Sequence, residues 1–201
     1  MIIKTLDELR EVYNQPSERA VKKQMSELDT HCVNYISKSP FLILSTVSKD
    51  GKVDASPRGG QAGFVQVANT QKILIPDAKG NNRLDSLANI VETKQVGILF
   101  MIPGVDETLR VNGFAYLTTD PEVRTGFVNE KNVPKTCIVV TVEEVFLHCA
   151  KALMRSKLWD EETKIDRTEL PTMGQMLKDQ IGGDQVVETQ EEMVKRYQKD
   201  L

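Results

Sequence analysis

The sequence is short of several things. Cysteine occurs three times in 201 residues, as Cys32, Cys137 and Cys149, an odd number with no CxxC pair. That excludes a disulfide framework and fits a reducing cytoplasm. The two histidines, His31 and His148, sit in no HExxH pattern, which argues against a zinc or iron centre. No stretch approaches the ~18 consecutive apolar residues of a membrane span. The opening MIIKTLDELREVYNQPSERA has no apolar h-region, so no signal peptide is expected. A GxxxxGK[ST] loop is missing, which excludes a Walker-type nucleotide site. Neither charge dominates: 26 Lys and Arg face 29 Asp and Glu, for a net charge of −3. That balance argues against nucleic acid or an anionic membrane as the main partner.

What remains is an ordinary globular composition, 40% hydrophobic and 27% charged. A chain of this length forms a core by burying roughly 70% of its unfolded surface, without disulfides or metal. It reads as a single domain in three stretches. Residues 1–38 are helical, 39–160 are rich in strands, and 161–201 form a helical extension.

In the first stretch Val21, Met25, Leu28 and Cys32 recur at helical spacing, behind a short helix carrying Leu6, Leu9 and Tyr13. Ser39-Pro40 ends it. FLILSTV at 41–47 and KVDASPR at 52–58 flank Asp50-Gly51, a hairpin signal because glycine tolerates the positive φ of the turn. In the returning strand Val53 and Ala55 face one way, and Asp54, Ser56 and Arg58 the other, with Pro57 expected to stop pairing. Further strands are expected near 64–67, 72–76, 96–102, 108–117 and 136–149. The run at 96–102 is apolar throughout, so both its faces should be covered. A helix at 81–92 presents Leu84, Leu87, Ala88 and Val91 as one stripe, and Asp120-Pro121 opens a short one. After Ala150 the chain turns helical again, with LPTMGQMLKDQIGG and a polar tail from Asp184. Many strands with few βα alternations point to an antiparallel β-barrel with peripheral helices.

Two turns carry arginine where an anion would suit. In IPDAKGNNRLDSLANIV, a strand ends at Pro76 and Asn81 or Asn82 caps a helix. With Asn82 as the cap, Arg83 falls in the first turn, the wrong charge for the positive end of a helix dipole unless an anion lies beside it. The plainer reading has Arg83 pointing into solvent. In DASPRGG at 54–60, Ser56 and Arg58 share a face ahead of two glycines, a set suited to phosphate. The plainer reading pairs Arg58 with Asp54 or another carboxylate. One phosphate dianion could use both arginines. In HCAKALMRSKLWD, Lys151 and Arg155 are four apart and Trp159 is the only tryptophan. Packing accounts for Trp159, and Cys149 reads as a small core residue. His148 and Cys149 point to opposite faces of a strand and form no nucleophile–base pair. Arg110 and Asn112 share a face; either they line a polar cavity or, as we favour, Arg110 pairs with Asp106 or Glu107.

SPFLILSTVSKDGKVDASPRGG, ILIPDAKGNNRLDSLANIVE, VGILFMIPGVDETLRVNGFAYL and HCAKALMRSKLW, over about residues 38–160, resemble the pyridoxamine 5′-phosphate oxidase-like flavoproteins. The resemblance implies a split antiparallel β-barrel and a homodimer with FMN at the interface. By motif, Ser56 and Arg58, flanking Pro57, would hold the phosphate from the second strand, and Asn82 and Arg83 from the helix start. Ile75 to Asp77 would run beside the flavin. Segment 149–159, with Lys151, Arg155 and Trp159, would approach from the partner subunit. Authentic pyridoxamine phosphate oxidases end in a Trp followed by an Arg-rich motif. Here Trp159 precedes DEETKID, with only Arg167 downstream, so pyridoxamine phosphate is not the expected substrate. The resemblance thus implies an FMN-dependent oxidoreductase acting on a small molecule or electron donor of unspecified identity, with no catalytic side chain assigned. The alternatives are a non-catalytic, redox-sensing FMN protein and a barrel for another phosphorylated ligand.

Overall fold

The computed structural model describes residues 2–127, 133–183 and 186–199. Seven strands form one antiparallel sheet: β1 Phe41–Val47, β2 Val53–Gly59, β3 Gln66–Asn69, β4 Lys72–Pro76, β5 Gln95–Met101, β6 Thr108–Thr118 and β7 Cys137–His148. Their order is β2-β1-β5-β6-β7-β4-β3, so β2 and β3 are the free edges. The hairpin forms as expected, with Gly51 at φ 77° in the turn. One helix, α4 (Asp85–Thr93), packs on β1, β2, β5 and β6, and another, α3 (Thr30–Lys38), meets β3. Between sheet and helices lies one apolar core. Its fully buried members include Leu42 and Leu44 of β1, Ile73 and Ile75 of β4, Ile98 and Phe100 of β5, Ile36 of α3 and Ile90 of α4.

Several expectations are corrected. No single helix runs through 21–32. Helix α1 (Leu6–Val12) and helix α2 (Glu18–Lys22) precede Met25, which forms a β-bridge with Val145 by paired backbone hydrogen bonds. Asp29 then caps α3, accepting from the Cys32 N–H at 2.8 Å. The core-facing residues Leu28 and Cys32 are therefore set by two elements rather than one stripe. Pro57 does not end β2, because pairing with β1 continues through Arg58 and Gly59. Its missing N–H falls on the open edge, where proline is tolerated. In β2 the polar residues face inward, while Val53 is 85% exposed. Strand β5 is not covered on both faces. Val96, Ile98 and Phe100 are buried, whereas Gly97, Leu99 and Met101 lie on a half-exposed outer face.

The buried face of α4 is Ser86, Leu87 and Ile90. Leu84 and Val91 are 53% and 68% exposed and Ala88 is exposed, so the true stripe is rotated from the expected one. Helix α5 (Pro121–Thr125) starts as read, with Asp120 accepting from the Glu122 N–H. Beyond β7 come α6 (Lys151–Ser156), α7 (Met173–Ile181) and α8 (Gln190–Tyr197), none with a buried residue. No described helix is long and apolar enough to cross a membrane.

Candidate functional site

The inward face of β2 carries Asp54, Ser56 and Arg58 in alternation, opposite the first turn of α4. The sequence makes this arrangement by placing polar residues where an edge strand meets a helix start rather than the apolar core. Ser86 is buried at 4% exposure. Its hydroxyl donates to Asp54 Oδ2 at 2.6 Å and lies 2.7 Å from Ser56 Oγ. Arg58 donates from Nη1 to the Pro57 carbonyl at 3.1 Å, and its Nε–H is buried with no hydrogen-bond partner among the described residues. A buried guanidinium N–H left unmade is costly, so this donor is poised for an acceptor.

Across the opening, Asp77 follows β4. Its backbone N–H donates to the Thr136 carbonyl at 3.0 Å. Burial pushes the Asp77 carboxyl above its ordinary pKa, and the nearby Arg58 and Lys135 charges pull it partly back. Among the described residues no ion pair joins Arg58 to Asp54 or Asp77; its charge reaches Asp77 only as a longer-range attraction. Strands β2 and β4 are not adjacent in the sheet.

The loop before α4 departs from expectation. Asn82 is not the helix cap; Leu84 is, in the left-handed region at φ 60°, with no side-chain cap on the first turn. Asn82 also has φ 60°, a conformation asparagine tolerates better than most residues. Asn81 Oδ1 accepts from the Arg83 N–H at 3.0 Å. Arg83 thus precedes the helix instead of occupying its first turn. Its side chain is 78% exposed and pairs with Asp85 at 2.5 Å, which satisfies the plainer solvent-facing reading. Arg83 is thus paired with a carboxylate, while Arg58 shares the face of β2 that carries Ser56. Leaving α4 uncapped keeps its leading N–H groups open to an anion.

The remaining candidates fall elsewhere. Ile75 is fully buried in the core, so only its backbone could border a ligand. Pro57 points outward from β2. Lys151 and Arg155 are exposed on α6. Trp159 donates its indole N–H to the Val105 carbonyl at 3.0 Å, a packing role. Cys149 is exposed, not a core residue, whereas Cys32 and Cys137 are buried. Arg110 is ion-paired as favoured, but its partner is Glu144, not Asp106 or Glu107. Glu144 lies opposite Asn112 in the β6–β7 ladder and also accepts from Asn112 Nδ2 at 3.0 Å. A cross-strand partner of this kind has no signature in local sequence. The same holds for Ser86 and Asp54, which sequence reasoning missed; the only available signal was Asp54 sharing the face of Ser56.

No curated protein matches the chain. Among solved structures, HupZ of Group A Streptococcus is 15% identical, with a TM-score of 0.51 over 60% of this chain and 93% of its own, a likeness of fold. The FAD binding protein of Mycobacterium smegmatis is 14% identical, with a TM-score of 0.43 over 62% of this chain and 97% of its own. An FMN-binding protein of Syntrophomonas wolfei is 18% identical, with a TM-score of 0.41 over 58% and 81%. The family described as pyridoxamine 5′-phosphate oxidase matches residues 28–149. That span runs from the first core residue of the α3 region to the end of β7, takes in the whole sheet and both sides of the Arg58 opening, and covers more than half of the sequence: the chain belongs to the pyridoxamine 5′-phosphate oxidase family.

Proposed function

We propose that this protein binds FMN and is an FMN-dependent oxidoreductase, with the FMN phosphate at the opening between β2, the start of α4 and the end of β4. The observation that carries the reading is Arg58, whose buried Nε–H lacks a partner among the described residues, on the face of β2 that packs against an uncapped helix start. A phosphate fits that donor set, since guanidinium forks and open helix N–H groups both favour it. Asn82 and Arg83 form the loop rim, and Ile75 to Asp77 offer backbone along one side. When bound, FMN supplies the hydride and electron chemistry; the protein's residues bind and orient it.

A homodimer completes the site in this reading. On the outer sheet face Phe114 and Tyr116 are 41% and 51% exposed at one end of the β5–β6 pair, and half-exposed Leu99 and Met101 lie toward its other end. A second copy seated there would bring its Lys151, Arg155 and Trp159 toward the flavin. Sedimentation at micromolar concentration should give a dimer; a monomer that retains FMN would refute this part.

The main test titrates apo-protein with FMN and with riboflavin, which lacks the phosphate. Arg58→Ala should weaken FMN binding by about ten- to a hundredfold, as expected for a lost charge-assisted hydrogen bond of ~1.5–3 kcal/mol, while riboflavin binding changes far less. An unchanged FMN-to-riboflavin ratio would refute the site. Turnover of added acceptors by reduced, FMN-loaded protein separates an oxidoreductase from a flavin carrier. The absence of an Arg-rich ending after Trp159 predicts poor oxidation of pyridoxamine phosphate.

A further inference from the structure

Beneath the start of α4 a chain of hydrogen bonds ends at the candidate site. Ser86 donates its hydroxyl to Asp54 Oδ2 at 2.6 Å, and Ser86 Oγ lies 2.7 Å from Ser56 Oγ. A serine has one hydroxyl proton, and an ionised carboxylate has none to give. With its own proton committed to Asp54, Ser86 must accept from Ser56. The other acceptor near Ser56, the Leu44 carbonyl, stands at 3.5 Å, too far to claim that proton. Ser56 is therefore left with lone pairs, and no proton, for a ligand in the opening.

We propose that Asp54 is a positioning residue that fixes the direction of this relay, so that Ser56 meets the ligand as an acceptor of a ligand hydroxyl and not as a donor to phosphate. The inference rests on the reading that a flavin phosphate lies at Arg58, and it refines that reading. The phosphate dianion is held by Arg58 and the open end of α4. Ser56 takes a hydroxyl from the carbon chain that carries the phosphate. The ligand class is then a phosphate monoester of a polyhydroxylated chain; a bare phosphate or a phosphate on an apolar chain would gain nothing from Ser56. The negative charge of Asp54, two residues from Arg58 on the same face, also disfavours a second anion there.

The test titrates full-length apo-protein with FMN and riboflavin, which share the ribityl hydroxyls and differ in the phosphate. Ser56→Ala should weaken both flavins alike and leave their affinity ratio unchanged. Ser86→Ala keeps the Asp54 charge but frees the Ser56 proton for phosphate, and should raise the FMN-to-riboflavin ratio by about tenfold, the worth of one good hydrogen bond. Asp54→Asn removes the charge and offers an amide NH2 that can donate to Ser86 and so reverse the relay, and should raise the ratio at least as much. A fall in the ratio on Ser56→Ala would overturn the proposal. So would a rise confined to Asp54→Asn, which would assign the effect to charge alone, or no rise in either variant. Arg58→Ala in the same series separates the two levels. If it lowers the ratio while the relay variants fail, only the relay is wrong. If it leaves the ratio unchanged, or if wild-type protein binds neither flavin, the phosphate reading is wrong and the relay falls with it.

Discussion

Helices α4 and α8 are nearly equal in length and begin in opposite ways. Helix α8 opens with a complete capping box: Thr189 accepts from the Glu192 N–H and the Glu192 carboxylate returns to the Thr189 N–H. Helix α4 opens on Leu84 at φ 60° with no side-chain cap, two residues after another left-handed residue, Asn82. Yet α8 buries nothing, while α4 buries Ser86, Leu87 and Ile90. Side-chain bonds also tie α4 to β1, from Asn89 to Thr46 and from Thr93 to the Val47 carbonyl. Local rules therefore hold α8 together and tertiary contacts hold α4. A left-handed non-glycine residue costs about 1–2 kcal/mol. The chain accepts that cost where α4 meets Arg58, and breaches of local preference of this kind concentrate at functional sites.

The largest effect that sharpens the contrast is in packing. Ile90→Ala, at a fully buried position, should cost about 2–5 kcal/mol in urea unfolding. Val194→Ala on α8, at 41% exposure, should cost under ~0.5 kcal/mol. Comparable losses would mean that α8 is packed in the assembled protein and that the contrast fails. Next in size are the helix starts, where the two changes should have opposite signs. Leu84→Gly should stabilise by about 1 kcal/mol by relieving the left-handed strain at a half-exposed site. Thr189→Ala should destabilise by about 1 kcal/mol through loss of the cap. A destabilising Leu84→Gly would show that the Leu84 side chain contributes more than its conformation costs.

The same contrast explains what the sequence made legible. Strands and hairpin could be read because alternation and Asp50-Gly51 are local signals, and so could the Asp120-Pro121 start of α5. The family-bearing motif around Arg58 was equally visible. The role of Met25 is not legible, because its β-bridge to Val145 joins residues 120 positions apart, and helical spacing cannot report that. The cap of α4 is not legible, because asparagine at 81 and 82 satisfies the capping preference while the observed cap is Leu84, on a helix that buries Leu87 and Ile90. The Asp54–Ser86–Ser56 chain was invisible for the same reason: Ser86 sits among helix residues, and only the docking of α4 onto β2 brings it to Asp54.

The smallest expected effect concerns two aspartates that titrate in opposite directions. Asp29, which caps α3, is held below its ordinary pKa, chiefly by the Cys32 N–H it accepts. Its contribution is present above the unfolded value and lost as pH falls through the lower native one. Asp29→Ala should therefore cost about 1 kcal/mol near neutrality, and the deficit should shrink in acid. Asp77 is pushed above its ordinary value, chiefly by burial. The folded state then holds the proton more tightly than the unfolded one, so stability falls as pH rises from the unfolded value through the native one. Asp77→Asn should be slightly more stable than wild type at neutral pH, with the gain vanishing below the unfolded carboxyl pKa. Urea midpoints for both variants across pH 3 to 7 check the two signs. If Asp77→Asn is instead destabilising at neutral pH, attraction to Arg58 outweighs burial at this carboxylate. A phosphate entering the opening would then have to displace a favourable pair, and in that case Asp77→Asn should also tighten FMN more than riboflavin.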